Sequence, residues 1–163
     1  IFDYWSVPSL RNWYNNGRCN DKRLTSDQKS LREMYRQALT LCNKESALRE
    51  GEFFDLMYVN HDNGNFDDHH NYAFLRKFKN ELLLIAVNFN DWPTHIGIRI
   101  PQHAFDCWSI CPGEYLCEEL IGKELEMKNI TPDILFDTPI QAYGAVIWKC
   151  RIKPRRQDAK KSK

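Results

Sequence analysis

The densest run of oxygen and imidazole donors in the chain is Asn60-His61-Asp62-Asn63-Gly64-Asn65-Phe66-Asp67-Asp68-His69-His70. A calcium loop of the EF-hand type wants oxygen donors at positions 1, 3 and 5 and glycine at position 6; neither Asn60 nor Asp62 as position 1 brings Gly64 to position 6. His69 and His70 are adjacent, so their rings diverge and do not chelate as an i, i+4 pair would. The run therefore reads as a long polar hairpin loop. Acid–base chemistry by a pair of carboxyl groups needs the two to face each other, one of them with a raised pKa. Asp67 and Asp68 lie in that polar loop with no apolar pocket beside them. Glu118 and Glu119 alternate to opposite faces of any strand, so at most one can face a cleft. No phosphate-binding glycine loop, dinucleotide fingerprint, nucleophile elbow or paired zinc hook is present. We assign no catalytic residue, no metal ligand and no cofactor.

Aromatic rings are the other candidates, because a flat apolar ring suits the CH-rich face of a pyranose. Of the five tryptophans, Trp148 sits in the apolar run Ala145-Val146-Ile147-Trp148 and reads as core. Trp92, before Pro93 in a turn, and Trp108, in a loop, are the exposed candidates for carbohydrate contact. Six cysteines are spread at 19, 42, 107, 111, 117 and 150 without a disulfide framework. Cys107, Cys111 and Cys117 have three and five residues between them, not the paired spacing of a zinc site. All six read as thiols, which favours a reducing, cytoplasmic compartment.

The elements that must carry these residues differ along the chain. Residues 1–23 mix aromatics, prolines and paired asparagines with no sustained period and read as an ordered but irregular lead-in. Tyr4, Trp5, Trp13 and Tyr14 need something to pack on, which suggests a missing neighbour. Thr25 with Gln28 fits a capping box, and Leu31, Met34, Tyr35, Ala38, Leu41 and Cys42 keep helical spacing, so a helix is expected over 26–43. Arg49-Glu50-Gly51 ends the helical region. Short apolar runs between turns then predict antiparallel strands at 53–59, 72–78, 82–89, 94–100, 115–120, 134–136 and 143–152. Lys79-Asn80 makes a hairpin, residues 120–124 another reversal, and the unbroken run from Leu82 to Val87 must be a central strand covered on both faces. The fold class is mainly β: an antiparallel β-sandwich preceded by an irregular segment and one amphipathic helix.

The net charge is +1, but seven Lys or Arg against Asp158 in residues 151–163 make a solvated basic tail on a mildly acidic body. That distribution argues against a nucleic-acid partner, and no apolar run is long enough for a membrane span.

Taken in order, several phrases form a pattern. Ile1-Phe2-Asp3-Tyr4-Trp5-Ser6-Val7-Pro8-Ser9, with Trp13 and Asn16-Gly17, resembles the stretch leaving the last barrel strand in bacterial α-amylase-like members of glycoside hydrolase family 13. Leu31 to Leu41 looks like the final barrel helix. The stretch Ala47-Leu48-Arg49-Glu50-Gly51-Glu52-Phe53 resembles the junction into the family's C-terminal β domain. Tyr72 to Arg76, Asn80 to Asp91, Ile98 to Pro101 and Gly144 to Trp148 are similar to that domain's strands. The resemblance covers roughly residues 1–152 and is specific in combination.

It implies three segments: 1–50, the end of a catalytic (β/α)8 barrel; 51–152, a C-terminal β-sandwich; and 153–163, a basic disordered tail. It implies a retaining parent enzyme acting on α-glucans such as starch or maltodextrin, whose Asp nucleophile, Glu acid/base and third Asp are expected upstream of Ile1. Asn60-His61-Asp62 matches a short family motif, but it follows the junction and is read as coincidence. The expected partner is the barrel itself, with α-glucan contact or a dimer through the helix face as further expectations. An autonomous carbohydrate-binding module and an unrelated interaction sandwich are the alternatives; neither requires a helix joined directly to the first strand.

Overall fold

Pro8 opens a helix where an irregular lead-in was expected. In α1 (Pro8–Tyr14) the proline takes the first helical position, where its missing N–H costs nothing. Asn15 ends the helix in the left-handed region (φ 43°), its N–H returning to the Arg11 carbonyl. Asn16 and Gly17 also have positive φ, so the paired asparagines are a helix stop. The capping box then forms as expected: the Thr25 N–H donates to Gln28 Oε1 (3.1 Å) and the Gln28 N–H to Thr25 Oγ1 (3.3 Å). It starts α2 (Ser26–Lys44). The structure, a computed structural model, describes residues 6–152; the readings placed on Tyr4, Trp5 and the 153–163 tail lie outside the described residues. The chain divides into two compact units, residues 1–44 and 45–163.

The second unit is an antiparallel β-sandwich. Its elements are α3 (Ser46–Glu50), β1 (Glu52–Asp55), α4 (Met57–Asn60), β2 (Asn71–Phe78), β3 (Glu81–Asn88), β4 (Thr94–Ile98), α5 (Gln102–Trp108), β5 (Gly113–Glu119), β6 (Leu125–Ile130), β7 (Phe136–Ile140) and β8 (Ala145–Arg151). One sheet has the order β1-β2-β3-β8-β5-β6; β4 and β7 form a second. Inward residues of the large sheet (Ala73, Leu75, Leu82, Leu84, Trp148, Tyr115) pack with Ile96, Ile98, Phe136 and Ile140 of the small sheet and with Ala104 and Phe105 of α5. The Trp148 indole N–H donates to Thr138 Oγ1 at 2.9 Å, so the core tryptophan buries no unpaired donor.

β3 is central, as its unbroken apolar run predicts. Leu82, Leu84 and Ala86 face the main core, while Leu83 and Ile85 face outward under Ala47 of α3. Arg76 holds α3 there by donating to the Ala47 and Leu48 carbonyls at 3.1 and 2.9 Å. Gly51 is required at the junction, since a Cβ would lie 2.2 Å from the Ala47 carbonyl oxygen. In the β2–β3 hairpin it is Lys79, not Asn80, that takes positive φ (53°).

Four segments depart from expectation. The strand expected over 53–59 stops at Asp55, whose side chain accepts the Met57 N–H (3.2 Å) and starts α4. α5 was read as loop; Pro101 precedes it and Ala104 and Phe105 bury one side. β6 was missed because its Leu125 and Met127 point to solvent while Glu126 and Lys128 lie opposite the buried Cys117 and Tyr115. β7 runs past the expected 134–136 through Pro139, which a two-stranded sheet accommodates on its open edge.

The reading of six thiols is also corrected. Cys117 and Cys150 are bonded to each other, and Cys19, Cys42, Cys107 and Cys111 are free. They are a directly opposed pair in the β5–β8 ladder, with Cα atoms 4.4 Å apart and both side chains in the core. That spacing suits a bridge.

Candidate functional site

The donor-rich run 60–70 is held against the sheet by buried asparagines. Asn60, fully buried, donates from Nδ2 to the Leu56 and Arg99 carbonyls (2.8 and 3.1 Å) and accepts at Oδ1 from Asn63 Nδ2 and the Arg99 N–H, both 2.8 Å. Asn63 also donates to the Gly97 carbonyl at 2.7 Å. A Cβ at Gly97 would meet Leu135 and Asn65 at 2.9 and 3.3 Å, so glycine lets the loop lie against β4. Outside this buried frame His61 pairs with Asp68, and His70 Nδ1 lies 2.8 Å from Asp67 Oδ2. The hydrogen bond His61 donates to Asp68, then the Asp68 charge, raises the His61 pKa; the bond from His70 lowers that of Asp67. Among the described residues no three His, Cys, Asp or Glu side chains converge as metal ligands.

The buried carboxylates have internal partners. Glu119, 5% exposed, accepts from the Ile147 N–H (2.8 Å), the Ile121 N–H (3.0 Å) and the Gly122 N–H, clamping the β5–β6 turn to β8. Glu45, 3% exposed, and Glu81 hold Lys149 Nζ at 2.5 and 3.2 Å. Burial opposes the Lys149 charge, but the bonds it donates to Glu45 and Glu81 outweigh it and raise the pKa. Each of these carboxylates fixes backbone or a cation in the fold.

Trp92 and Trp108 have different surroundings. Trp108 is the last residue of α5, not a loop residue. Its half-buried ring stands edge-on to Phe54 with centroids 5.6 Å apart, and its N–H donates to Glu52 Oε2 at 2.6 Å. Trp92 is 57% exposed, 6.5 Å from the His70 ring. Phe89 and Tyr143, missed in the sequence, share its exposure at 60% and 71%. Their turns are bound together: Asn88 Nδ2 donates to the Trp92 and Gln141 carbonyls (2.9 and 3.1 Å), and the Tyr143 N–H to the Asn90 carbonyl (2.8 Å). Among the described residues no ring contact joins this group to Trp108.

In the first unit, no residue of α2 is buried. Leu31, Met34, Tyr35 and Leu39 are each more than half exposed. With Leu10, Trp13 and Leu24, Leu31 and Tyr35 line an open groove of about 510 Å³, and Trp13 Nε1 is a buried donor with no acceptor.

No protein-family model and no curated protein matches this chain. Solved structures do. AmyP in complex with maltose superposes with a TM-score of 0.55 at 15% identity, covering 82% of this chain and 23% of that one. The α-amylase of Geobacillus thermoleovorans complexed with acarbose gives 0.54 at 16% identity over 83% of this chain and 25% of that one. An Anoxybacillus α-amylase gives 0.52 at 18% identity over 85% and 25%. The chain shares the fold of the part of these α-amylase structures that it covers. The chain spans about a quarter of the length of the α-amylase structures it matches. On this α-amylase-type sandwich, the available signal for Phe89 and Tyr143 was their place beside asparagine-rich and glycine-containing turns, and strand patterning hid it by assigning both to strand ends.

Proposed function

We infer that the chain is the non-catalytic C-terminal portion of an α-amylase-like glycoside hydrolase acting on α-glucans, and that it packs on and stabilises a catalytic (β/α)8 barrel. The observation that carries this is the open face of α2. A 19-residue helix with four large apolar side chains more than half exposed has no reason to form in water unless another surface covers it. The groove with its orphaned Trp13 N–H supports the same reading, since a buried donor without an acceptor costs about 1–3 kcal/mol and a docked backbone carbonyl would remove that cost. The structural likeness also supports it: 82% of the chain is more than the second unit contains, so the match extends into the first.

The reading frame upstream of Ile1 provides the test. It should encode barrel strands carrying two Asp and one Glu, and in that longer protein Met34→Lys with Tyr35→Lys should lower stability. An upstream frame without such strands, or a longer protein indifferent to both changes, would sink the reading. The isolated chain should release no reducing sugar from starch.

A second reading, glucan contact on the sandwich itself, rests on the exposed Trp92, whose turn is hydrogen-bonded to the one that carries the exposed Tyr143. Maltodextrin titration measures it, and Trp92→Ala should cost about 1–3 kcal/mol of binding if the ring is an anchor. Equal affinity in the variant would remove the contact and leave a structural support. Trp108→Ala serves as the comparison, because its ring is already engaged by Phe54 and Glu52.

A further inference from the structure

The far edge of β6 is a row of backbone donors and acceptors with no partner strand among the described residues. Its ladder with β5 runs unbroken from Gly113↔Ile130 to Glu118↔Leu125, with no bulge, proline or glycine in β6 to spoil the edge. Leu125 and Met127 are exposed on its outer face beside the exposed Leu116. Such edges invite a further strand.

We propose that this edge pairs antiparallel with the same strand of a second copy, on a two-fold axis through Met127. Residues directly opposite in an antiparallel pair lie on the same face of the sheet, so the axis must pass through a residue position. On the inner face the strand carries one acid and one base two positions apart, Glu126 and Lys128, already 2.6 Å from each other. An axis through Glu126 sets that carboxylate against its own copy, and an axis through Lys128 sets two ammonium groups together. Only the axis through Met127 puts Glu126 opposite Lys128 of the second copy, twice by symmetry. The same register joins the two outer apolar patches across Met127. The pair therefore acts as a register filter: like charges guard the edge in neighbouring registers, and opposite charges favour this one. In the single chain Lys128 keeps its charge on the inner face, its Nζ 4.5 Å above the Trp148 ring and donating to the Asp137 carbonyl at 3.0 Å.

The test is sedimentation of the 163-residue chain across a dilution series. A monomer–dimer equilibrium is expected, with Glu126→Lys and Met127→Lys each raising the dimer dissociation constant roughly tenfold or more. Both positions are exposed, and an unchanged melting temperature confirms that each variant still folds. Met34→Ser with Tyr35→Ser, on the open helix, should leave the dimer intact. In a background carrying Cys19→Ser, Cys42→Ser, Cys107→Ser and Cys111→Ser, Met127→Cys should bridge two copies on oxidation, while Leu125→Cys, which faces Asn129 of the second copy, should not. A strict monomer at every concentration, a dimer lost in the helix variant but not the β6 variants, or bridging at Leu125→Cys in place of Met127→Cys would each overturn the proposal.

Discussion

The Cys117–Cys150 bridge makes a quantitative prediction. It closes a loop with a sequence separation of 33 residues. The chain-entropy relation for a loop of that length removes about 12.5 cal/mol/K from the unfolded chain, or about 3.7 kcal/mol at 25 °C. At roughly 4 °C per kcal/mol for a domain of a little over 100 residues, melting should fall by about 15 °C on reduction. Both sulfurs lie in the core, at 0% and 1% exposure, so reductant reaches them only when the chain opens. The assay is therefore equilibrium urea unfolding with and without a phosphine reductant. Alkylation in denaturant identifies the species: four thiols should react before reduction and six after it. Six reactive thiols before reduction, or a stability difference under about 1 kcal/mol, would refute the reasoning.

Asn60→Leu removes four hydrogen bonds from a fully buried position and should cost about 3 kcal/mol or more in urea unfolding, with the 60–70 run losing protection first. Lys149→Met leaves the buried Glu45 and the neighbouring Glu81 without their shared cation and should destabilise by about 3–5 kcal/mol; adding Glu45→Gln should recover part of the loss, and no recovery would assign it to packing instead. Asp68 raises the His61 pKa above its ordinary 6.5, so its contribution to stability is complete below that value and disappears as pH rises through the raised one. Proton NMR titration of His61 should show the raised midpoint and its return to the ordinary range in Asp68→Asn.

Local chemistry was legible in the sequence. The Thr25–Gln28 box, the unbroken run of β3 and the stop at Gly51 depend on near neighbours, and each formed where its residues placed it. Features set by distant partners were not. β6 escaped because its apolar residues face water and its charges face the core, the reverse of what alternation assumes. The bridge escaped because only the sheet order, which lays β8 beside β5, brings Cys117 to Cys150. Trp108 was assigned to a loop because α5 is about two turns of helix, too few residues to show a period. Of the candidate site, Trp92 was readable from its turn before Pro93, whereas Tyr143 and Phe89 join it only through hydrogen bonds between two turns far apart in the chain.

The last strand occupies the middle of the large sheet. β8 pairs with β3 on one side and β5 on the other, so until it emerges from the ribosome the nascent chain holds two separate ladders, β1-β2-β3 and β5-β6, with nothing to join them. A message truncated before Ala145 yields two half-sheets with no ladder between them instead of a shortened domain. Closure of the large sheet consequently waits for β8, which acts as its keystone, and the period before its arrival is when chaperone protection matters most.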